Sequence, residues 1–315
     1  MQRYILRRLI QMVIVILFFS MFVFTIIRLV PGDPATMMFP VDEMTPEAVA
    51  QVRHEMGLDR PIPVQYVAWL REISQGNFGV SWRSKKPALD LIVQRLPATL
   101  LLTATAILIA AIITIPLGII SGIRPYSWFD NVATAFSLMG VATPNFWFGL
   151  MLILLLSVTL RLLPASGFTP LSEGVTESLR RLIMPGLTLG ISLAAPLTRF
   201  LRSGLLDVMS ADYIRTARAK GLWERRVVLR HALKNALLTV VTILGMQIGA
   251  LIGGSVITES VFAWPGIGRL LLDAIVKRDY GVVQGVVLFV CLAFMLSNLL
   301  VDILYAYLDP RIRYT

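Results

Sequence analysis

Charged side chains are spaced so unevenly along this chain that six stretches contain no Asp, Glu, Lys or Arg: Leu9–Ile27, Leu96–Ile123, Asn131–Leu160, Leu182–Thr198, Asn235–Thr258 and Gly281–Val301. They hold 19, 28, 30, 17, 24 and 21 residues. A helix rises about 1.5 Å per residue and a bilayer's hydrocarbon core is about 30 Å thick, so one crossing takes about 20 residues. Each run is therefore predicted to be a transmembrane helix. The fourth is at the short limit, and the third is too long for one straight helix. Pro144, in Val141-Ala142-Thr143-Pro144-Asn145, and Pro164 are the predicted points where the third run breaks or ends, because proline removes a helical N–H and crowds the preceding turn.

Two segments between the runs carry helical patterns of their own. In Pro31–Arg95, Thr45-Pro46-Glu47 reads as an N-cap, a proline at the first helical position and an acid in the first turn, starting a helix that runs to about Met56 and stops at Gly57. A second helical pattern, Val64–Ile73, sets Tyr66, Trp69 and Leu70 on one face, and Gly76 and Gly79 follow as turn residues. This segment is predicted to be a small folded cap on the outer membrane surface. In Arg199–Lys234, Asp212 is placed to cap a short helix, Tyr213–Lys220, with Gly221 as the left-handed residue that ends it and Leu222 as the apolar contact beyond. So short a helix is marginal alone in water and needs a support. Ala217 and Ala219 between Arg215, Arg218 and Lys220 suit insertion into a partner protein; a basic helix resting on lipid headgroups fits the same spacing.

Charge sets the orientation. If the N-terminus is cytosolic, the inner segments hold 15 Lys and Arg and the outer ones 14, but without the long 28–95 loop the outer count falls to 6. Long translocated loops count little in this rule, so the cytosol is predicted to hold both termini. The inner segments then carry +9 of the net +10 charge, which suits anionic lipid and argues against a nucleic-acid partner. Composition agrees with a membrane protein: 56% of the 315 residues are hydrophobic and 15% charged, against about 45–50% and about 25% in soluble domains. Arg3, Arg7 and Arg8 ahead of an apolar run resemble a secretory signal, yet a 19-residue run with no small-residue cleavage pattern predicts an uncleaved first span.

The sequence offers no catalytic centre. No Walker A pattern, zinc-type His/Glu motif, Cys/His cluster or serine-hydrolase elbow occurs, and the two histidines, His54 and His231, fall on opposite sides of the membrane. The single Cys291, inside the last span, leaves no disulfide or thiolate–metal site within the chain and reads as an apolar packing residue. The fifth span carries Gly245, Gly249 and Gly253, four residues apart and followed by Gly254, a face that lets another helix approach closely or that lines a passage. Gln247 beside it is a candidate for a translocation path or for a hydrogen bond between helices. Near the end of the sixth span Asn298, Asp302 and Tyr305 share a face; Arg199 or Arg202 is the expected partner of Asp302, with a proton or ion relay as the other reading.

These residues, taken in order, resemble the inner-membrane permeases of binding-protein-dependent ABC importers, specifically the dipeptide/oligopeptide/nickel family. The resemblance rests on Arg28-Leu29-Val30-Pro31-Gly32-Asp33-Pro34, Gly57-Leu58-Asp59, Arg95-Leu96-Pro97-Ala98-Thr99-Leu100 and Pro144-Asn145-Phe146-Trp147. It continues through Asp212 to Leu222, His231-Ala232-Leu233-Lys234-Asn235-Ala236, Phe262-Ala263-Trp264-Pro265-Gly266-Ile267-Gly268-Arg269, Arg278-Asp279-Tyr280 and Asp309-Pro310-Arg311-Ile312-Arg313. The resemblance implies an all-α integral membrane protein with six transmembrane helices in the type I ABC importer permease fold. It divides into 1–30 with the first span, a folded extracytoplasmic loop over 31–95, and a five-helix core over 96–315 that includes the cytosolic coupling segment 199–234. It further implies a homologous second permease, two cytosolic ATPases that bind ATP and Mg, and an extracytoplasmic binding protein. The chain itself would be no enzyme and hold no metal. Tyr213, Arg215, Thr216, Ala217, Arg218, Ala219, Lys220 and Gly221 correspond to the helix that sits in a groove on the ATPase, which favours the protein partner over lipid. Of that segment's general pattern only the glycine and a small residue carry over. Asn77, Thr239 and Gly281 stand where the family usually has an acid, a proline and a proline. The implied cargo is a short peptide; a nickel or metal-chelate importer of the same family, and a non-transporting membrane scaffold or receptor, are the alternatives.

Overall fold

The computed structural model describes residues 2–29, 36, 45–55, 57–253 and 255–308. Val30–Pro34, Met56, Gly254 and Asp309–Arg313 lie outside the described residues, as does the Tyr305 side chain. The described residues form thirteen α-helices and no strand. Five are long and apolar enough to cross a membrane: α1 (Gln2–Leu29), α4 (Ala88–Ile123), α7 (Val175–Met209), α10 (Leu233–Ile252) with the turns leading into it, and α13 (Tyr280–Leu308). The third uncharged run forms a broken pair. Helix α5 (Trp128–Ala142) ends before Pro144, and α6 (Asn145–Leu152), continued as a π-helix over Ile153–Thr159, leaves at 104° to it. The break lies at the predicted proline.

Whether that pair counts as one crossing follows from the first and last helices. Near the start of α1, Arg8 pairs with Asp302 near the end of α13 at 2.8 Å. Arg28, at the end of α1, lines one cavity with Tyr280, the first residue of α13. The two helices are antiparallel, so the described chain begins and finishes at the same end of the bundle. An even number of crossings is required, and α5 with α6 supplies the sixth. Asp302 therefore takes Arg8, not Arg199 or Arg202 as expected, because α1 packs beside α13. Arg202 instead forms a two-point pair with the buried Asp130 at 2.5 and 2.8 Å, and Asp130 also accepts from Ser121 Oγ at 2.7 Å and Tyr126 N at 2.8 Å.

The centre of the fold is the α4–α7 pair. With 36 and 35 residues, both helices exceed the bilayer thickness and extend the short fourth run well beyond its uncharged length. Their backbones interlock reciprocally. A Cβ on Gly118 or Gly122 would stand 2.6 and 2.8 Å from Leu201 and Leu205, and one on Gly186 or Gly190 would stand 2.8 and 2.6 Å from Thr105 and Ile109. Glycines four apart on each helix thus receive large side chains from the other, the packing that drives association where lipid is as apolar as leucine. The Gly245, Gly249 and Gly253 face does the same against Val301, Phe294 and Val290 of α13.

Between the first two spans, α2 (Pro46–Glu55) starts as predicted, with Thr45 Oγ1 accepting from Ala48 N at 3.3 Å, and Gly57 past its end has φ +64°. Helix α3 (Ile62–Ser74) is longer than its pattern suggested. Tyr66 and Trp69 pack on the buried Phe24 of α1 at ring distances of 5.3 and 5.5 Å, and the Tyr66 hydroxyl reaches Ser20 at 2.9 Å. The loop is therefore bound along the side of α1.

Candidate functional site

The helix after α7, α8 (Asp212–Ala219), begins one residue earlier than the spacing indicated. Ala211 holds the N-cap position without a side-chain bond, and Asp212 is the first helical residue, weakly paired with Arg215 at 3.4 Å. An acid there still faces the positive end of the helix dipole. The other end is built as expected: Gly221 has φ +72°, Gly221 N donates to Arg218 O at 2.9 Å and Leu222 N donates to Ala217 O at 3.4 Å. These two bonds make a Schellman motif, and the half-buried Leu222 packs on the core as its apolar contact. A Cβ on Gly221 would meet nothing within 4 Å, so only the backbone angle demands glycine.

The two faces of α8 differ sharply. Ile214 (0% exposed) and Ala217 sit in one core cluster with Leu201 and Leu205 of α7, Val227 and Ala232 of the following turns, and Ala236 of α10. Tyr213 Oη accepts from Asn235 Nδ2 at 2.7 Å, and Arg218 grips Glu224 through two bonds of 3.1 and 2.6 Å. The outward face shows Tyr213, Arg215, Thr216, Arg218, Ala219 and Lys220, with Trp223 beside it at 84% exposure. Ala217 is a correction to the sequence reading: its methyl group faces this chain's own core and is not offered to a partner, since at the α8 register positions 214 and 217 share the inner side. Of the two alanines only Ala219 remains on the surface. The anchored face joins α8 to the ends of α7 and α10.

The candidate path residues lie elsewhere. Gln247 is half-buried beside the glycine face that α13 covers. An open cavity of about 290 Å³ stands instead at the α5–α6 break, between Phe136, Gly140, Thr143, Asn145, Thr188 and Ser192. Irregular backbone within a spanning segment is tolerated where it lines a cavity, and the break does so. That cavity was not legible from the proline alone.

The sequence reading also missed a buried acid. Residues 259–280, an outer segment by the charge reading, fold into α11 (Val256–Val261), packed on α6 and α7, and α12 (Ile267–Val276), packed on α4 and α13. Glu259, 1% exposed, accepts from Arg269 N at 2.8 Å and from Gly268 N, so it caps α12. Thr99 Oγ1 of α4 accepts from Ile267 N at 2.9 Å, and the buried Trp264 donates through Nε1 to Ala98 O at 2.9 Å. Burial pushes the Glu259 carboxyl above its ordinary range, opposed by the N–H groups it accepts from. Among the described residues no group of His, Cys, Asp and Glu is placed to hold a metal ion.

Comparison with known proteins agrees with this architecture. Residues 114–314 match the model of the binding-protein-dependent transport system inner membrane component, and residues 1–103 match the N-terminal model of the same membrane components. The chain is 43% identical to the oligopeptide transport system permease protein AppB of Bacillus subtilis (strain 168), over the full length of both. It is 41% identical to the glutathione transport system permease protein GsiC of Salmonella choleraesuis (strain SC-B67), again over both full lengths. It is 39% identical to the dipeptide transport system permease protein DppB of Escherichia coli (strain K12), covering all of this chain and 99% of that one. Among solved structures, the MetNI methionine ABC transporter in an inward-facing conformation aligns with 70% of this chain and 96% of its own at a TM-score of 0.57 and 18% identity, which shows a shared fold. Six crossings, a short helix tied to the bundle at the end where the described chain begins and finishes, and matches across nearly the whole length lead to one conclusion: the chain belongs to the inner-membrane permease components of binding-protein-dependent ABC importers.

Proposed function

We propose that this permease carries short peptides, delivered by an extracytoplasmic binding protein, through a pathway formed with a homologous second permease, and that α8 is where one of two cytosolic ATPases engages it. Both termini and α8 are then cytosolic, and the 31–95 loop is outside. The observation that carries the reading is the division of α8, with Ile214 and Ala217 locked into the bundle and a basic outer face left bare. The peptide cargo is supported by the oligopeptide, dipeptide and glutathione systems in the names of the relatives. The chemistry belongs to the partners: ATP binds the closed ATPase dimer better than the open one, and only such differential binding can drive a switch between inward- and outward-open states.

Gly221→Val tests the coupling. No atom stands in the way of a side chain, so the cost comes from the positive φ alone, about 1 kcal/mol for alanine and more for a β-branched residue. That is small for a six-span protein, so the variant inserts and assembles. The redirected Leu222 and Trp223 weaken the ATPase contact. In liposomes, uptake falls far more than membrane abundance, and loaded binding protein no longer stimulates ATP hydrolysis. Wild-type uptake with wild-type stimulation would contradict the assignment.

A further inference from the structure

Among the described residues three tryptophans are exposed: Trp128 at 71%, Trp147 at 49% and Trp223 at 84%. Trp147 lies inside the third uncharged run and Trp128 stands three residues ahead of it, so hydrocarbon and headgroups cover both. Trp223 has no such cover. Arg199 and Lys234 are the first charges beyond the fourth and fifth uncharged runs; α7 continues ten residues past Arg199 to Met209, and Trp223 precedes Lys234 by eleven residues of helix. At about 1.5 Å per residue, both legs carry this turn about 15 Å beyond the hydrocarbon. The headgroup layer on each side is only about 5–8 Å deep. Lipid therefore does not reach Trp223.

The indole is also carried on a fixed stretch of backbone. Before it, the Gly221 cap and the half-buried Leu222 tie the chain to the core. After it, Trp223 is the N-cap of α9 (Glu224–Arg226), its carbonyl accepting from Arg226 N at 2.8 Å and Val227 N at 3.0 Å. Arg218 and Glu224 join across the turn through bonds of 3.1 and 2.6 Å. An aromatic side chain on backbone that is already ordered loses little freedom on binding, which suits it to anchor an interface.

Charge indicates the kind of partner. Lys220, Arg225 and Arg226, all exposed, lie within three residues of Trp223, and Glu224, the acid among them, is engaged by Arg218. Residues 309–315, which follow α13, carry two arginines against one aspartate, so the end of this chain has the same sign as the patch and is no complement to it. We infer that Trp223 anchors the ATPase contact, its indole entering an apolar pocket on the ATPase whose rim carries carboxylates facing Lys220, Arg225 and Arg226. The inference rests on α8 as the helix the ATPase engages, and places the strongest single contact on the turn just past that helix.

The test is the affinity of the ATPase subunit for the full-length permease pair in nanodiscs, together with the emission of Trp223, isolated as the difference between wild type and Trp223→Phe. Trp223→Ala weakens binding about thirtyfold, the size of a hot-spot loss, and Trp223→Phe by less than about threefold. Neither lowers the thermal midpoint of the permease pair, because the ring lies outside its core. Replacing Arg225 and Arg226 by alanine flattens the salt dependence of the affinity. Acrylamide quenches the Trp223 emission until the ATPase is added, and the ATPase then shields it. Wild-type affinity in Trp223→Ala, an unchanged salt dependence in the double variant, or shielding of Trp223 before the ATPase is added, as lipid, residues 309–315 or the second permease would give, would overturn the proposal. Cross-linking to the ATPase from a cysteine at position 219 reports on α8 without using Trp223. An adduct there with wild-type affinity in Trp223→Ala would remove the anchor alone, whereas no adduct would remove the assignment beneath it.

Discussion

Helices α8 and α12 are of similar length, eight and ten residues, and both rest on the bundle through an apolar face, but the polar groups at their ends are handled in opposite ways. At the start of α12, Glu259 and Thr99 take up the N–H groups of Ile267, Gly268 and Arg269, while the far end of the helix is exposed at Ile275 and Val276. At α8 the N-cap is an alanine with no side-chain bond, the basic side chains point outward and a tryptophan beside them is 84% exposed. The start of α12 is capped by side chains from other helices, whereas α8 has a fixed inner face and a free outer one, as the proposed coupling role requires.

Breaking the α12 cap is expected to have the largest effect. Glu259→Ala leaves at least two buried N–H groups without an acceptor, at about 1–3 kcal/mol each, so the thermal midpoint and the amount of protein in the membrane both fall. Glu259→Gln retains an acceptor and costs less, and it removes a pH dependence. A carboxyl whose pKa is raised by folding binds its proton more tightly in the folded state, so its contribution declines as pH rises from the ordinary carboxylate range through the raised value. Wild-type midpoints therefore fall across that window and those of Glu259→Gln do not; parallel pH profiles would contradict the raised carboxyl pKa, and an unchanged midpoint in Glu259→Ala would contradict the cap.

Cutting away the inner face of α8 comes next. Ile214→Ala opens a cavity in the main core cluster and costs about 2–4 kcal/mol, measured as a lower midpoint with transport lost in proportion to folded protein. The smallest effect on stability sharpens the contrast most. Arg215→Ala removes an exposed charge whose one ion pair, to Asp212 at 3.4 Å, is weak, so stability changes by under about 0.5 kcal/mol while uptake per folded complex drops. Equal losses of stability at Arg215 and Ile214 would mean that α8 has no free face.

Much of this architecture was legible because a bilayer imposes one simple rule on sequence. Uncharged length marked the crossings, and Pro144 marked the break. Gly221 was legible because a helix end needs a residue that accepts positive φ, and its Schellman bonds are local. Features that depend on which distant helices meet were not legible. Asp302 takes Arg8 because the first helix packs beside the last, a pairing separated by nearly the whole chain. Glu259 reads as a loop acid until α4 covers it. The glycines of α4 and α7, Gly118 with Gly122 and Gly186 with Gly190, had the same four-residue spacing as the longer run in α10, and this signal could have identified the central helix pair. Ala217 and Ala219 look alike in sequence, and only the rotation of α8 separates a core methyl from a surface one.

That rotation allows a direct test of the central claim. In a Cys291→Ala background, single cysteines replace Ala219 and Ala217, and the assembled complex is treated with a thiol-reactive photo-crosslinker and illuminated. Position 219 is exposed and position 217 buried, so Ala219→Cys is predicted to give an adduct with the ATPase subunit and Ala217→Cys to remain unlabelled. No ATPase adduct at position 219, or equal adducts at both positions, would contradict the account.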